Sequence, residues 1–96
     1  MNIKEFGNDL IKLIEKNNEH IRQHEALHNY EIFHDIIEYL QIFIEEITKS
    51  KGYNINIIKV NEILREILEA FSNKDFILMS DIFEYELIEE LKSIIE

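Results

Sequence analysis

Residues 28–41 read HNYEIFHDIIEYLQ, and residues 74–87 read KDFILMSDIFEYEL. Both contain D-I-x-E-Y, as Asp35-Ile36-Ile37-Glu38-Tyr39 and, 46 residues later, as Asp81-Ile82-Phe83-Glu84-Tyr85. The flanks agree in kind, with Tyr30 matching Phe76, Ile32 matching Leu78 and Phe33 matching Met79. At about 100° per residue, Ile36 and Ile37, like Ile82 and Phe83, fall on one helical stripe. Asp35 and Glu38, like Asp81 and Glu84, fall on the opposite face, and Tyr39 and Tyr85 lie at the margin with ring inward and hydroxyl outward. The repeated unit is therefore a helix, and the turns before it make it half of a hairpin.

Working outward from the two copies, the spacing predicts four helices, at about 3–28, 30–49, 55–72 and 75–95. Asn2 with Glu5 three residues on reads as a capping box, and Asn29 as the N-cap of helix two. Ser50-Lys51-Gly52 and Ser72 to Asp75 read as turns. Gly7 and Lys16-Asn17-Asn18 weaken helix one by propensity. Two copies are too few for a solenoid, so the expected fold is all-α: one domain, 1–96, in which two helical hairpins close as a four-helix bundle.

Asp75-Phe76-x-x-Met79-x-Asp81-Ile82-Phe83-Glu84-Tyr85-Glu86-Leu87 resembles the C-terminal segment of small uncharacterised all-helical proteins of low-GC Gram-positive bacteria. The resemblance covers about a dozen residues. It implies a helical fold and a bacterial source, and it supplies no activity.

Composition narrows the function. With 96 residues, 46% of them hydrophobic, there is material for one core. Two glycines and no proline favour helices over an elaborate loop architecture. No cysteine means neither a disulfide framework nor a thiolate metal site. The first seventeen residues carry charges throughout, unlike a signal peptide, and no apolar run is long enough for a membrane span. A net charge of −10 argues against direct binding to nucleic acid or to an anionic membrane. A cytoplasmic chain without a cofactor is the expectation.

The acidity is localised. Residues 30–50 carry five acids and one base, and residues 75–96 carry seven and one, while the other two segments nearly balance. If helices two and four share a face, that face is an acidic field suited to a basic protein partner. The expected partner-binding residues are Asp35, Glu38, Tyr39 and Ile42 on helix two, and Asp81, Glu84, Tyr85 and Glu86 on helix four. Like charges at i and i+3 repel, and an arginine or lysine from a partner would relieve them. Ile42 stands out as an apolar residue among Glu38, Glu45 and Glu46. In helix four the apolar stripe shifts by about a quarter turn after Tyr85, to Leu87, Leu91 and Ile94, with Ile88 and Ile95 widening it. Either that helix kinks near Glu86 or its end packs elsewhere, and the second case points to a homodimer through the C-terminal helix.

His24-Glu25-Ala26-Leu27-His28 matches H-E-x-x-H, the zinc-protease signature, with His20 one turn earlier. Two imidazoles on one helical face and a neighbouring glutamate are supplied by that spacing. A third ligand is not, because His34 and Asp35 point away from helix two's core stripe. The bland alternative places His24 and His28, with Asn17 and Ile21, on helix one's inward side as partly buried polar residues. Glu25-x-x-His28 and Glu31-x-x-His34 have di-iron spacing, but the second points outward. No glycine-rich phosphate loop or nucleophile elbow is present. The leading expectation is a non-enzymatic, adaptor- or chaperone-like helical interaction module. An acidic mimic of nucleic acid and a small zinc hydrolase using HEALH are the alternatives.

Overall fold

Helix α1 spans Ile3–His24, α2 Tyr30–Lys49 and α3 Ile57–Ser72. Helix α4 occupies residues 76–95 in three consecutive pieces: α-helical Phe76–Ile82, π-helical Phe83–Leu87 and α-helical Ile88–Ile95. The computed structural model describes residues 2–24 and 30–96. Among these residues the four helices are the only regular elements, so the chain is an all-α bundle as its periodicity requires.

Side-chain caps set the helix starts. Asn2 Oδ1 accepts from the Glu5 amide at 3.0 Å, satisfying one of the donors that a helix start leaves without a partner. Asn56 does the same for Lys59 at 3.0 Å, so α3 begins at Ile57 and not at 55. Asp75 caps Leu78 at 3.1 Å. Asn29, the expected cap of α2, lies outside the described residues, as do the 25–28 positions expected to end helix one. Between α3 and α4 the chain reverses through Lys74, whose φ of 57 is left-handed, and the Asp75 amide reaches back to the Ala70 carbonyl at 2.9 Å.

Each hairpin packs as expected, α1 on α2 and α3 on α4, and α1 also packs along all three pieces of α4. The seam between α2 and α3 is different, being joined chiefly by rings. Phe33 stacks on Phe71 with centroids 4.5 Å apart, and Tyr30 meets Phe71 edge-on at 5.9 Å. Around the bundle the order is therefore α1, α2, α3, α4, with α2 and α4 on a diagonal. They touch through the core, where Phe33 meets Phe83 edge-on at 6.3 Å.

Two positions that look weak in the sequence prove to be packing points. Gly7 is buried where α1 crosses its neighbours, and a Cβ there would lie 2.9 Å from Ile95 Cγ2 and 3.2 Å from Phe43 Cε2. Asn17 and Asn18 are both buried. Asn18 Nδ2 donates to the Ser80 carbonyl at 3.0 Å, a polar tie between α1 and α4, while the Ser80 hydroxyl donates to Ile77 O at 2.8 Å.

The quarter-turn slip in helix four is resolved by its π segment. The Ile88 amide donates to Phe83 O, five residues back, so one extra residue is accommodated within the turn. In an uninterrupted α-helix, Glu86 would stand seven residues after Met79, on the inward stripe. Burying an unpaired carboxylate costs several kcal/mol, and Leu87, Ile88 and Leu91 would rotate outward at about 1.5–3 kcal/mol each. The π turn instead leaves Glu86 exposed and buries Phe83, Leu87, Ile88, Leu91 and Ile95 to 5% exposure or less. The apolar C-terminal residues that pointed to a homodimer therefore belong to this chain's own core. Set against α2, Glu86 is the added residue: Tyr39-Leu40 corresponds to Tyr85 followed by Leu87, and both leucines are 0% exposed.

Deleting Glu86 should therefore convert the π turn to regular α-helix and leave the core in phase. The deletion variant is expected to unfold cooperatively within about 5 °C of the wild type, whereas deleting Glu62 from α3 should abolish the cooperative transition. Loss of folding on deleting Glu86 would refute the phasing account. Gly7→Val is expected to lose about 1–3 kcal/mol in chemical denaturation despite removing a helix-weakening glycine.

Candidate functional site

The two D-I-x-E-Y copies occupy different environments. In α4 the acidic pair is met from within the chain, because Arg22 Nη2 of α1 donates to Glu84 Oε2 at 2.8 Å and to Asp81 Oδ1 at 3.3 Å. The arginine hydrogen bond holds the Glu84 carboxyl below its ordinary pKa, and the Glu84 and Asp81 contacts raise that of Arg22. The Tyr85 hydroxyl also bonds Glu84, which pushes its own pKa up. Tyr85 is 69% exposed, against the expectation of an inward ring, because it lies within the π turn that rotates this part of the helix.

In α2 no lysine or arginine among the described residues pairs with Asp35 or Glu38. Glu38 has only the His34 imidazole at 3.9 Å, which is an ion pair only when the histidine is protonated. Tyr39 does keep its ring on the bundle, edge-on to Phe6 with centroids 6.3 Å apart. Ile42 is half-buried, its i−4, i+3 and i+4 neighbours Glu38, Glu45 and Glu46 lying over the same patch of helix. The acidic ridge of α2 runs between two apolar grooves. One, of about 290 Å³, is lined by Phe6, Leu10, Leu13 and Tyr39 at the α1 side. The other, of about 480 Å³, lies over the α2–α3 seam among Tyr30, Phe33, Ile37, Leu68 and Phe71, with Glu31 and His34 at its rim.

The diagonal placement of α2 and α4 settles the condition on which one acidic face depended: the two helices do not share a face. Asp35, Glu38, Tyr39 and Ile42 form one surface, and Asp81, Glu84 and Tyr85 another, on the α1–α4 seam. Glu86 belongs to neither and faces α3. Loss of solvent around its carboxyl, then a hydrogen bond with Glu66, raises its pKa. The same helix pair is held by Lys59 Nζ and Glu90 Oε2 at 3.0 Å, with Glu90 mostly covered. Arg22 is the functional neighbour that wheel geometry within single helices misses, since it becomes visible only when α1 is set beside α4.

The metal readings gain nothing from the geometry. Glu25 and His28 of HEALH lie outside the described residues, and His24 is exposed, since it stands at the edge of the stripe one turn beyond Ile21. His34, Asp35 and Glu38 bring ligand atoms within 4.8 Å of one another, but all three are exposed on a solvent-facing helix. No helix of the described residues is long and apolar enough to cross a membrane.

The fold and surface define a small all-helical domain: a closed bundle with an acidic outer helix between apolar grooves. The chain belongs to the family described as a domain of unknown function (DUF8042), whose model matches residues 2–96. No curated protein and no solved structure matches it.

The two perturbed carboxyls of the π turn act oppositely on stability. A raised folded pKa means that folded Glu86 holds a proton more tightly than the unfolded chain does, so its unfavourable effect fades as pH falls through that value. The lowered pKa of Glu84 marks a favourable contribution present above the ordinary carboxylate value and lost as pH falls through the lowered one. Thermal unfolding followed by circular dichroism should show Glu86→Gln more stable than wild type at about pH 7, the gap closing as pH falls towards the ordinary carboxylate range. Arg22→Met should be less stable across that span, with its deficit narrowing below about pH 4. A Glu86→Gln gap that stays constant over this range would contradict the assignment.

Proposed function

We propose that the chain is a non-enzymatic helical interaction module that binds a basic protein partner, with the outer face of α2 as its principal docking surface. The observation that carries this reading is the contrast between the two copies of D-I-x-E-Y. In α4 an arginine bridges the Asp-Glu pair, and in α2 the equivalent pair faces solvent without one. Both grooves beside that ridge are apolar, which is the combination a docking helix uses: side chains in a groove and charge at the rim. The remaining acidic residues of α4 add a long-range field that speeds encounter with a basic surface.

The reading separates α2 from α4 experimentally. Reversing Asp35 and Glu38 to lysine should abolish crosslinking to protein partners in the source cell while moving the unfolding midpoint by only a few degrees, as surface changes do. Reversing Asp81 and Glu84 should instead lower the midpoint, because Arg22 then faces two cations. Partners captured equally by wild type and by the Asp35→Lys, Glu38→Lys chain would overturn the proposal. A partner held by charge at the rim should also dissociate faster as salt rises.

A further inference from the structure

The groove between α1 and α2 combines an aromatic corner, an aliphatic floor and a carboxylate. Phe6, Asp9, Leu10, Leu13 and Tyr39 line a volume of about 290 Å³. The Phe6 and Tyr39 rings stand at 86° with centroids 6.3 Å apart, so they form two walls of a corner, and Phe43 stacks behind Phe6 at 6.0 Å. Phe6 is half-buried and Tyr39 is 41% accessible, which leaves ring surface open to the groove. Asp9, three residues after Phe6 and four before Leu13, shares their side of α1. It is exposed and makes no ion pair among the described residues, not even with Lys12 three residues on. Asp35, four residues before Tyr39 and on the same side of α2, adds a second negative charge one turn along.

A ligand complementary to these walls is apolar along its length and cationic at its end. Ring faces carry negative potential and attract cations, and the carboxylate beside them adds a full charge. The volume lies at the lower edge of the range for small-molecule pockets, so it suits one long side chain and not a cofactor. Arginine meets the requirement best. Its aliphatic stem packs on Leu10 and Leu13, and its planar guanidinium lies on an aromatic face with its fork turned to a carboxylate. An ammonium is more strongly hydrated and loses more on leaving water. The other seam of α1 shows the same chemistry completed from within the chain, where Arg22 sets its guanidinium on Asp81 and Glu84. At the α1–α2 seam no basic side chain of this chain lines the groove.

We propose that the α1–α2 groove receives an arginine side chain of the basic protein partner, its guanidinium held between the Tyr39 ring and the Asp9 carboxylate. The proposal rests on the reading of α2 as a docking surface and names the residue that anchors there. A buried arginine set among aromatic side chains is a common centre of binding energy at protein interfaces. The net charge of −10 draws a basic surface towards the whole chain, and the groove fixes where one of its side chains enters. Asp9 and Phe6 thereby extend the docking surface from α2 onto α1.

Nuclear magnetic resonance of the full ¹⁵N-labelled chain tests this, with n-butylguanidinium as the probe and neutral n-butylurea as the control of matching shape. The guanidinium should give saturable amide shifts centred on Phe6, Asp9, Leu13 and Tyr39, and the urea should not. Asp9→Asn should weaken binding about two- to fivefold, the range of an exposed ion pair. Tyr39→Leu should weaken it by a similar factor while Tyr39→Phe, which keeps the ring face, retains it. Circular dichroism confirms that each variant is folded. Equal shifts with n-butylurea, saturable shifts outside the groove, or binding indifferent to Asp9→Asn would each overturn the proposal. Binding of n-butylammonium as tight as that of n-butylguanidinium would overturn the choice of arginine. If the probe ignores the groove while Asp35→Lys with Glu38→Lys still abolishes partner crosslinking, the arginine site falls and the docking reading of α2 stands. If the probe binds as expected and crosslinking ignores those substitutions, the docking reading falls and the guanidinium site stands.

Discussion

The bundle depends on keeping the two halves of α4 in phase. Phe76–Ile82 and Ile88–Ile95 each carry a sound apolar stripe, but the stripes are out of step by about one residue's rotation. A rigid α-helix would have to choose between them, placing a carboxylate in the core or several branched side chains in solvent. The π turn at Phe83–Leu87 absorbs the mismatch, and α1 packs along the whole of α4 because of it. Gly7 depends on the same phasing. The close approach of Ile95 to its Cα exists only because the C-terminal segment is turned inward. Phasing, close approach and the buried tie from Asn18 to Ser80 are thus one arrangement seen at three places.

That arrangement also separates the two copies of the repeat. The π turn begins one residue after Ile82, so it divides the second D-I-x-E-Y between α and π geometry while the first lies in regular helix. In the second copy Phe83 goes fully inward and Tyr85 is carried outward, and the acidic pair lies against α1, where Arg22 reaches it. In the first copy Ile37 remains at the lip of the α2–α3 groove and Tyr39 leans on Phe6. A repeated sequence has become an internal contact at one site and an open surface at the other. The added Glu86 accompanies that divergence, and its crowding against Glu66 is the electrostatic cost of the longer turn.

Much of the fold is legible in the sequence because it rests on local rules. The stripes of α1, α2 and α3 are regular, and Asn2 caps where its spacing to Glu5 says it should. The slip in helix four is equally visible as a change of phase. Its resolution is not, because a kink, a second subunit and a π turn give the same pattern until α1 is placed beside it. His24 fails for a related reason: a wheel gives an angle and says nothing about whether a neighbouring helix covers that height. The wheel also has no knowledge of which helices are diagonal, so whether the acidic excess of α2 and α4 forms one field or two is decided only by the packing.

The candidate site is legible to a lesser degree, and the reason is physical. Asp35, Glu38, Asp81 and Glu84 are correctly placed outward by angle alone, but what distinguishes them is a partner from another helix. One arginine, Arg22, converts an apparently unsatisfied pair into a completed contact. Its effect on the reading is large because the chain contains only one other arginine, Arg65. That residue lies on α3, which shares with α2 the one seam joined mainly by rings. The seam is open for the same reason the rest is closed. With α4 phased onto α1 and α3, the core is filled by Phe83 and Leu87, and Tyr30 and Leu68 are left exposed beside half-buried Ile37, with Glu31 and His34 at the α2 side of the groove. Apolar area of that kind, with the acidic ridge of α2 along one side, gives a basic docking partner both a floor to bury and a direction in which to align.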